Sequence, residues 1–152
     1  MPDLSSLIGT TGQPYEVPIE RGKIREFATA TKAKAACYTD KRTPTVPPTF
    51  LASAAFWEAP NSNPMHGTEV NWARILHGEQ EYLFHGPPPK AGDNLVAQQR
   101  IEEVFEKQGK RGGTMAFTVI VTEFRDGAGR LVAECRSTVI ETSKPAGKEP
   151  TT

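Results

Sequence analysis

The chain is poor in the features that mark several large classes of protein. Lysine plus arginine and aspartate plus glutamate number 18 each among its 152 residues, so it has neither a basic field for nucleic acid nor an acidic one for cations. It also lacks an uninterrupted hydrophobic run of about 18 residues. Residues 1–11 lack the cationic start and apolar core of a signal peptide. We therefore expect no nucleic-acid partner, no membrane association and a cytoplasmic location.

Cysteine and histidine are equally sparse. The two cysteines, Cys37 and Cys135, stand in dissimilar contexts, so a disulfide framework is not expected and reduced thiols fit the cytoplasmic location. The three histidines lack metal-ligand spacing with a nearby third ligand. The sequence therefore predicts neither a metal site nor another cofactor.

The chain does contain a proline-led apolar segment, Val46–Trp57. Pro47 and Pro48 restrict its start, and the hydroxyl of Thr49 is placed to cap a helix N-terminus. Large and small apolar side chains recur at i, i+4 and i+7, at Phe50, Ala54 and Trp57. The segment is apolar almost all round, which is typical of a helix surrounded by other structure. It predicts a buried, central α-helix.

Periodicity predicts a strand, a helix and a long antiparallel sheet around this segment. Residues 15–19 alternate as a short strand, and residues 21–31 place Ile24, Phe27 and Ala28 on one helical face. Residues 58–71 have the composition of a loop long enough to form a flap or lid. The segments 79–85, 94–106, 114–124 and 131–139 are predicted strands. In the third, one face carries Met115, Phe117, Val119 and Val121, and the other carries mostly threonines.

Three of these strands, joined by tight turns, form a meander whose inner face must be covered, and the central helix is the obvious cover. We therefore predict an α+β fold in which a long antiparallel sheet wraps around a central α-helix. One domain is expected over residues 1–142. Residues 143–152, which hold proline, glycine, lysine and threonine, are expected to be a disordered tail.

Four short motifs in this order resemble the MaoC-like dehydratase N-terminal domain, which has a single hot-dog fold. They are Arg25–Ala28, Val46–Phe50, Leu76–Tyr82 and Pro89–Leu95, and the similarity runs from about residue 15 to residue 140. That group resembles the non-catalytic, substrate-holding subunits of actinobacterial (3R)-hydroxyacyl-thioester dehydratases. The resemblance implies an acyl thioester of coenzyme A or acyl carrier protein as ligand, no metal, and the pairing of hot dogs in a homodimer or heterodimer.

Active members of this family carry the signature D-x-N-P-x-H after the first helix, whose Asp and His act together as acid and base. Aligned without gaps, this chain has Ala33 at the position of the Asp and Tyr38 at that of the His, with Ala35 and Ala36 at the Asn-Pro. Only the acidic residue two positions further on, Asp40, matches. Alanine cannot accept a proton, and tyrosine, with a pKa near 10, is a poor base at neutral pH. The dyad is therefore absent.

Other side chains remain catalytic candidates. His77 is a candidate replacement base, and Glu79 would orient it, because residues i and i+2 of a strand share a face. The alternative is that His77 is a structural, hydrogen-bonding residue at the start of the strand. Asp40, two positions beyond the signature, is a further candidate. Glu58, at the end of the central helix, is a candidate for activating water in a thioesterase. Hot-dog thioesterases use a carboxylate from that helix in this way. A solvated helix terminus explains Glu58 equally well.

The acyl chain is expected in a dry channel that runs along the central helix from Thr49 towards Trp57, beside the small Ala54. The candidate substrate-binding residues are Tyr38, Pro48, Thr49, Phe50, Ala54 and Trp57. We therefore predict the acyl-thioester-binding subunit of a (3R)-hydroxyacyl-CoA/ACP dehydratase, whose partner carries D-x-N-P-x-H. The alternatives are a homodimeric enoyl-CoA hydratase with His77 as base, a thioesterase with Glu58, and an acyl-binding or regulatory protein without chemistry.

Overall fold

Five antiparallel strands dominate the structure, a computed structural model that describes residues 4–39, 42–109 and 113–143. The strands are β1 (Tyr15–Pro18), β2 (Ile75–Phe84), β3 (Asn94–Gln108), β4 (Thr114–Arg125) and β5 (Leu131–Thr142). They form one sheet with the spatial order β1-β3-β4-β5-β2, so β1 and β2 are its edges. The predicted long antiparallel sheet is confirmed.

The helices are short. The α-helices are α1 (Arg21–Ala30) and α2 (Ala36–Thr39), and the 3-10 helices are Ser5–Leu7, Phe50–Trp57, Pro60–Ser62 and Trp72–Arg74. We call Phe50–Trp57 the central helix, because it packs on the concave, inner face of the sheet. The predicted α+β architecture is thus confirmed. None of the helices in the described ranges is long and apolar enough to cross a membrane.

The central helix is a 3-10 helix and not the α-helix that its apolar spacing predicts. Its first turns are closed by bonds between residues three apart, from the Phe50 N–H to the Pro47 carbonyl at 3.0 Å and from the Ala52 N–H to the Thr49 carbonyl at 3.1 Å. The hydroxyl of Ser53 also donates to the Phe50 carbonyl at 2.7 Å. That bond occupies the acceptor that an α-helical turn would use. The side chain of Thr49 makes no capping bond.

Only one side of the central helix is buried. Phe50, Leu51 and Ala54 are 1%, 2% and 3% exposed in the core, where the Phe50 ring meets the edge of Phe27 of α1 at 5.5 Å between centroids. Phe56, by contrast, is 86% exposed. The helix is therefore not enclosed on all sides, as its composition suggests, because the sheet lies along one side only.

The apolar stripe of β4 faces away from the central helix. Phe124 lies in the core opposite Ala97 of β3 and Ala133 of β5. Strand side chains alternate between faces, so the inner face of β4 also carries Ala116, Thr118, Ile120 and Thr122. The predicted grouping of Met115, Phe117, Val119 and Val121 on one face is confirmed, and that face is the outer one.

Charged side chains cover part of this outer stripe. Val121 pairs with Arg100 of β3 on one side and Arg136 of β5 on the other, and it is 3% exposed. Glu102 accepts hydrogen bonds from both arginines, at 3.1 Å from Nη2 of Arg100. Glu103 lies 3.4 Å from Nη2 of Arg136. The aliphatic stems of these long side chains shield the valine while their charged ends pair at the surface.

Two β-bulges lie at one level of the sheet, at Gly78 in β2 and at Glu102 in β3. The strands between them are joined at that level by the pairing of Val119 with Thr138. A Cβ at Gly78 would lie 2.7 Å from Cδ1 of Ile140, so this position favours glycine. Because a bulge bends its strand, the sheet bends along this line.

The N-terminal segment fastens the 58–71 loop to the sheet. The Gly12 N–H donates to the Gln99 carbonyl of β3, and the Gln13 N–H donates to the Asn61 carbonyl of the loop, both at 2.9 Å. A Cβ at Gly12 would lie 1.8 Å from the Ser62 carbonyl oxygen, so only glycine allows this close approach. The first half of the predicted flap is therefore held in place.

Two expectations fall on residues that the structure does not describe. Asp40 lies outside the described residues, as does the expected tail except for Ser143. The candidate role of Asp40 and the domain boundary at residue 142 stay predictions. Both thiols, Cys37 and Cys135, are free.

We predict that Ala54→Phe lowers the free energy of unfolding by about 1–3 kcal/mol, because a large ring would overpack the core beneath the central helix. Urea denaturation measures this loss. The matched control is Ala52→Phe, which places the same ring on the exposed side of the same helix and should change stability by no more than about 0.5 kcal/mol. Equal effects of the two substitutions would contradict the packing described here.

Candidate functional site

A cavity of about 750 Å³ lies between the 58–71 loop and the inner face of the sheet, at the C-terminal end of the central helix. We call it the loop cavity. Its apolar wall includes Ala55, Met65, Val70, Ile75, Ile120 and Val139. Its polar groups are Glu58, Asn63, His66, Thr68 and His77. A mostly apolar concave site with a few convergent polar groups is typical of small-ligand binding.

The loop cavity exists because the central helix is too short to cover the sheet. Its eight residues rise about 16 Å as a 3-10 helix, whereas the 12 residues of β4 extend about 40 Å. The helix packs where the sheet carries Ala97, Phe124 and Ala133. Further along, Ile120 and Val139 lie beyond the helix and face the loop instead.

The bulge at Gly78 separates the predicted catalytic pair. His77 pairs with Val139 and lines the loop cavity, while Glu79 pairs with Thr138 and lies at a shallow depression of the outer face. The expectation that both side chains share one face is wrong, because the extra residue of a bulge shifts the alternation by one. Glu79 therefore cannot orient His77. A glycine inside a strand is the sequence signal that indicates such a bulge.

Glu58 lies on the same cavity as His77. It follows the last residue of the central helix and accepts a 3.0 Å hydrogen bond from Nε2 of Gln99 on β3. Burial raises the pKa of the neighbouring Tyr15 to about 12. The negative charge of Glu58 also raises this pKa, whereas a hydrogen bond with Gln99 lowers it. Tyr15 is therefore a neutral hydrogen-bonding group at pH 7. With His66 of the loop, the cavity holds one carboxylate and two imidazoles, the group types that activate water or transfer protons.

A second set of polar groups lies deeper on the inner face. The amide of Gln80 donates to Sγ of Cys135, and Tyr82 pairs directly with Cys135 across β2 and β5. Burial raises the pKa of the Cys135 thiol to about 11 and that of Tyr82 to about 12. Since the thiolate is the nucleophilic form, Cys135 is inert at neutral pH.

The residues predicted to bind the acyl chain do not line the loop cavity. Phe50 and Ala54 belong to the packed core, and Trp57 lies half-buried against it. Pro48 and Thr49 are exposed at the start of the central helix. The channel expected beside Ala54 is thus filled by core packing, and the structure places the open space beyond the end of the helix.

The residues that align with the Asp and His of the family signature lie in a different part of the fold. Tyr38, on α2, borders a separate pocket of about 280 Å³ with Arg21, Arg25 and Pro44. Ala33, in the turn between α1 and α2, is half-buried. Neither residue belongs to the wall of the loop cavity. The site that the family signature implies, around Ala33 and Tyr38, is therefore separate from the loop cavity.

Sequence reasoning missed most of the cavity wall. Residues such as Met65, Val70 and Val139 have no spacing that relates them, because loop and sheet meet only in the fold. The one available signal was the loop composition of residues 58–71, which indicated a flap. Within residues 4–39, 42–109 and 113–143, no three His, Cys, Asp or Glu side chains form a group that could hold a metal ion.

Comparison with known proteins gives a family and several relatives. Residues 6–135 match the family described as FAS1-like, dehydratase domain region. A UPF0336 protein of Saccharopolyspora erythraea is 33% identical over 156 residues, which cover 92% of each chain. A UPF0336 protein of Streptomyces coelicolor is 36% identical over 106 residues, covering 63% of this chain and 67% of the relative.

Solved structures share the fold at low sequence identity. The C-terminally truncated HadBC (3R-hydroxyacyl-ACP dehydratase) complex of Mycobacterium tuberculosis superposes with a TM-score of 0.70 at 23% identity, covering 88% of this chain and 96% of that one. A MaoC-like dehydratase gives a TM-score of 0.76 at 22% identity, covering 91% of this chain and 43% of the longer chain. The ChsH1-ChsH2 complex of Mycobacterium tuberculosis gives a TM-score of 0.65 at 16% sequence identity, covering 91% of this chain and 86% of that chain. This likeness confirms the predicted hot-dog fold.

We predict that the free energy of unfolding falls as the pH rises from about 9 through 12. Tyr15, Tyr82 and Cys135 have folded pKa values above their ordinary ones. The ordinary pKa is 10.0 for the two tyrosines and 9.0 for the cysteine. Below its ordinary pKa each group contributes its full stabilisation, and this contribution is lost as the pH rises through the pKa of the folded state. Urea denaturation across this range measures the decline. Tyr15→Phe, which cannot ionise, should show a shallower decline; an unchanged slope would contradict the assignment.

Proposed function

This chain belongs to the FAS1-like dehydratase domain region family, a branch of the hot-dog (R)-hydratases and dehydratases, and we propose that it is the acyl-thioester-binding subunit of a (3R)-hydroxyacyl-CoA or -ACP dehydratase. One observation carries the proposal. The fold keeps a cavity of about 750 Å³ with an apolar wall, while Ala33 and Tyr38 replace the catalytic dyad and lie outside that cavity.

The dimensions of the loop cavity fit an acyl chain. Cavities that bind ligands of this size have volumes of about 300–1,000 Å³, and the loop cavity falls within that range. An alkyl chain gains about 0.8 kcal/mol for each methylene that it buries. The apolar residues of the loop and the sheet would contact the chain, and the hydroxyl and amide groups at Thr68 and Asn63 would face its polar end.

The chemistry of dehydration explains why a partner is required. A base must remove a proton from the α-carbon of the 3-hydroxyacyl thioester while an acid protonates the departing hydroxyl group. Ala33 has no ionisable group to supply either function. A second hot-dog subunit that carries D-x-N-P-x-H would supply both. Two structures of the same fold, HadBC and ChsH1-ChsH2, are complexes of two named chains, which supports such a pairing.

A second candidate function is favoured by the meeting of Glu58, His66 and His77 on one cavity. Here the chain acts without a partner. If the chain is an enoyl hydratase, His77 takes a proton from the water whose oxygen adds to C3, and the resulting imidazolium gives a proton to C2. As a thioesterase, Glu58 takes a proton from the water that attacks the thioester carbonyl, and the thiol leaves. Both reactions use the same class of substrate.

We predict that the purified chain neither hydrates crotonyl or longer trans-2-enoyl thioesters nor hydrolyses them, because Ala33 and Tyr38 cannot act as the dyad. Chromatography of the substrate and its products measures both reactions and separates hydration from hydrolysis. Hydration that is lost in His77→Ala would establish the second candidate. Hydrolysis that is lost in Glu58→Gln would establish the thioesterase.

We predict that Ala55→Trp weakens binding of a long-chain acyl thioester at least about tenfold, which corresponds to roughly 1.4 kcal/mol. The indole would occupy the loop cavity, whose wall includes Ala55. Isothermal titration calorimetry measures the affinity. Ala52→Trp is the matched control, since it adds the same side chain to the exposed side of the same helix. Equal affinities in the two variants would place the acyl chain elsewhere.

A further inference from the structure

The carboxylate and the strand imidazole of the loop cavity lie at its two ends. Gln99, to which Glu58 is bonded, lies on β3 at the level of Thr122 of β4. His77 lies on β2 at the level of Thr118 of β4. β3 and β2 are three strand spacings apart, or about 14 Å, and the two levels are separated by about 13 Å along the strand. Glu58 and His77 therefore mark opposite ends of an elongated space.

Apolar side chains lie between these two ends. Ile120 of β4 stands midway between the two levels, and it lines the cavity together with Val139 of β5 and Ala55 of the central helix. The middle of the cavity therefore offers contacts to methylene groups but few hydrogen bonds. A ligand that fills the whole length would be apolar along its middle and polar at both ends.

The carboxylate of Glu58 has unused capacity to accept hydrogen bonds. Its Oε2 accepts from Nε2 of Gln99 at 3.0 Å, and no other hydrogen bond or ion pair to this carboxylate occurs among residues 4–39, 42–109 and 113–143. A carboxylate has about four acceptor sites. The methyl end of an alkyl chain would cover these sites without offering a donor, which is unfavourable. The end of the cavity at Glu58 therefore suits a group that donates a hydrogen bond.

The charge of Glu58 also decides which way round an acyl thioester lies. Coenzyme A and the prosthetic arm of acyl carrier protein both carry phosphate groups, and like charges repel. The thioester and its carrier are therefore favoured at the end marked by His77, and the far end of the chain at Glu58. The same repulsion disfavours a chain that ends in a carboxylate. An uncharged donor, a hydroxyl group, meets both conditions.

We propose that the loop cavity binds acyl thioesters whose chain carries a hydroxyl group remote from the thioester, and that Glu58 accepts the hydrogen bond of this hydroxyl group. This inference rests on the proposed function, because it names the substrate class of the same cavity. Glu58 is then a residue that determines specificity, and Gln99 is a positioning residue that holds its carboxylate. A buried hydroxyl group without a partner would lower the affinity, so a preference for the hydroxylated chain is diagnostic.

The test compares acyl chains with and without a terminal hydroxyl group. Isothermal titration calorimetry measures the affinity for octanoyl-, dodecanoyl- and hexadecanoyl-coenzyme A and for their ω-hydroxy derivatives. At the chain length that reaches Glu58, we expect the ω-hydroxy compound to bind at least about tenfold more tightly than the unsubstituted one. Glu58→Met, an apolar side chain of similar length, should abolish this preference without weakening the binding of the unsubstituted chain.

The matched control is Glu16→Met, the same substitution at an exposed position of β1, which should leave both affinities unchanged. Unchanged unfolding midpoints show that both variants fold. The isomer with its hydroxyl group at C3 is a second control, and its affinity should not depend on Glu58. Equal affinities of the ω-hydroxy and unsubstituted chains at every length, or an effect of Glu58→Met confined to the C3 isomer, would overturn this inference and leave the proposed function standing. If no thioester binds, both fail.

Discussion

The length of the central helix is the constraint on which the rest of this structure depends. The three central strands of the sheet run 12–15 residues, and their inner face must be covered, yet the helix ends at Trp57 after eight residues. Packing is complete where Phe50 and Ala54 meet the sheet. Beyond that point the 58–71 loop faces the apolar residues of the sheet and leaves open space between itself and them. The loop cavity is the direct result.

Strand alternation and its interruptions decide which groups meet in that cavity. The bulge at Gly78 turns His77 inward and Glu79 outward. A hydrogen bond from Gln99 holds Glu58 at the other side of the same space. Buried neutral groups such as Tyr15 line the neighbouring part of the sheet, where desolvation opposes their ionisation. The cavity therefore combines an apolar wall with a small number of polar side chains.

The function proposed for this chain combines binding of an acyl thioester with the absence of the family's catalytic dyad. Membership of the dehydratase family implies a site that accepts an acyl thioester, and the loop cavity is consistent with that. The positions that align without gaps with the Asp and His of the family signature hold Ala33 and Tyr38.

The sequence by itself determined the strands and the α+β class, because alternation and turn residues are local properties. Phe50 and Ala54 were likewise correctly assigned to a segment at the centre of the fold. Only the tertiary structure decided that the central segment is a 3-10 helix, that the threonine face of β4 lies beneath it, and that Glu58 and His77 share a cavity. These outcomes depend on contacts between residues far apart in the chain. A single extra residue at Gly78 places the side chain of Glu79 on the face of the sheet opposite to that of His77. No local pattern fixes which loop closes over which strand.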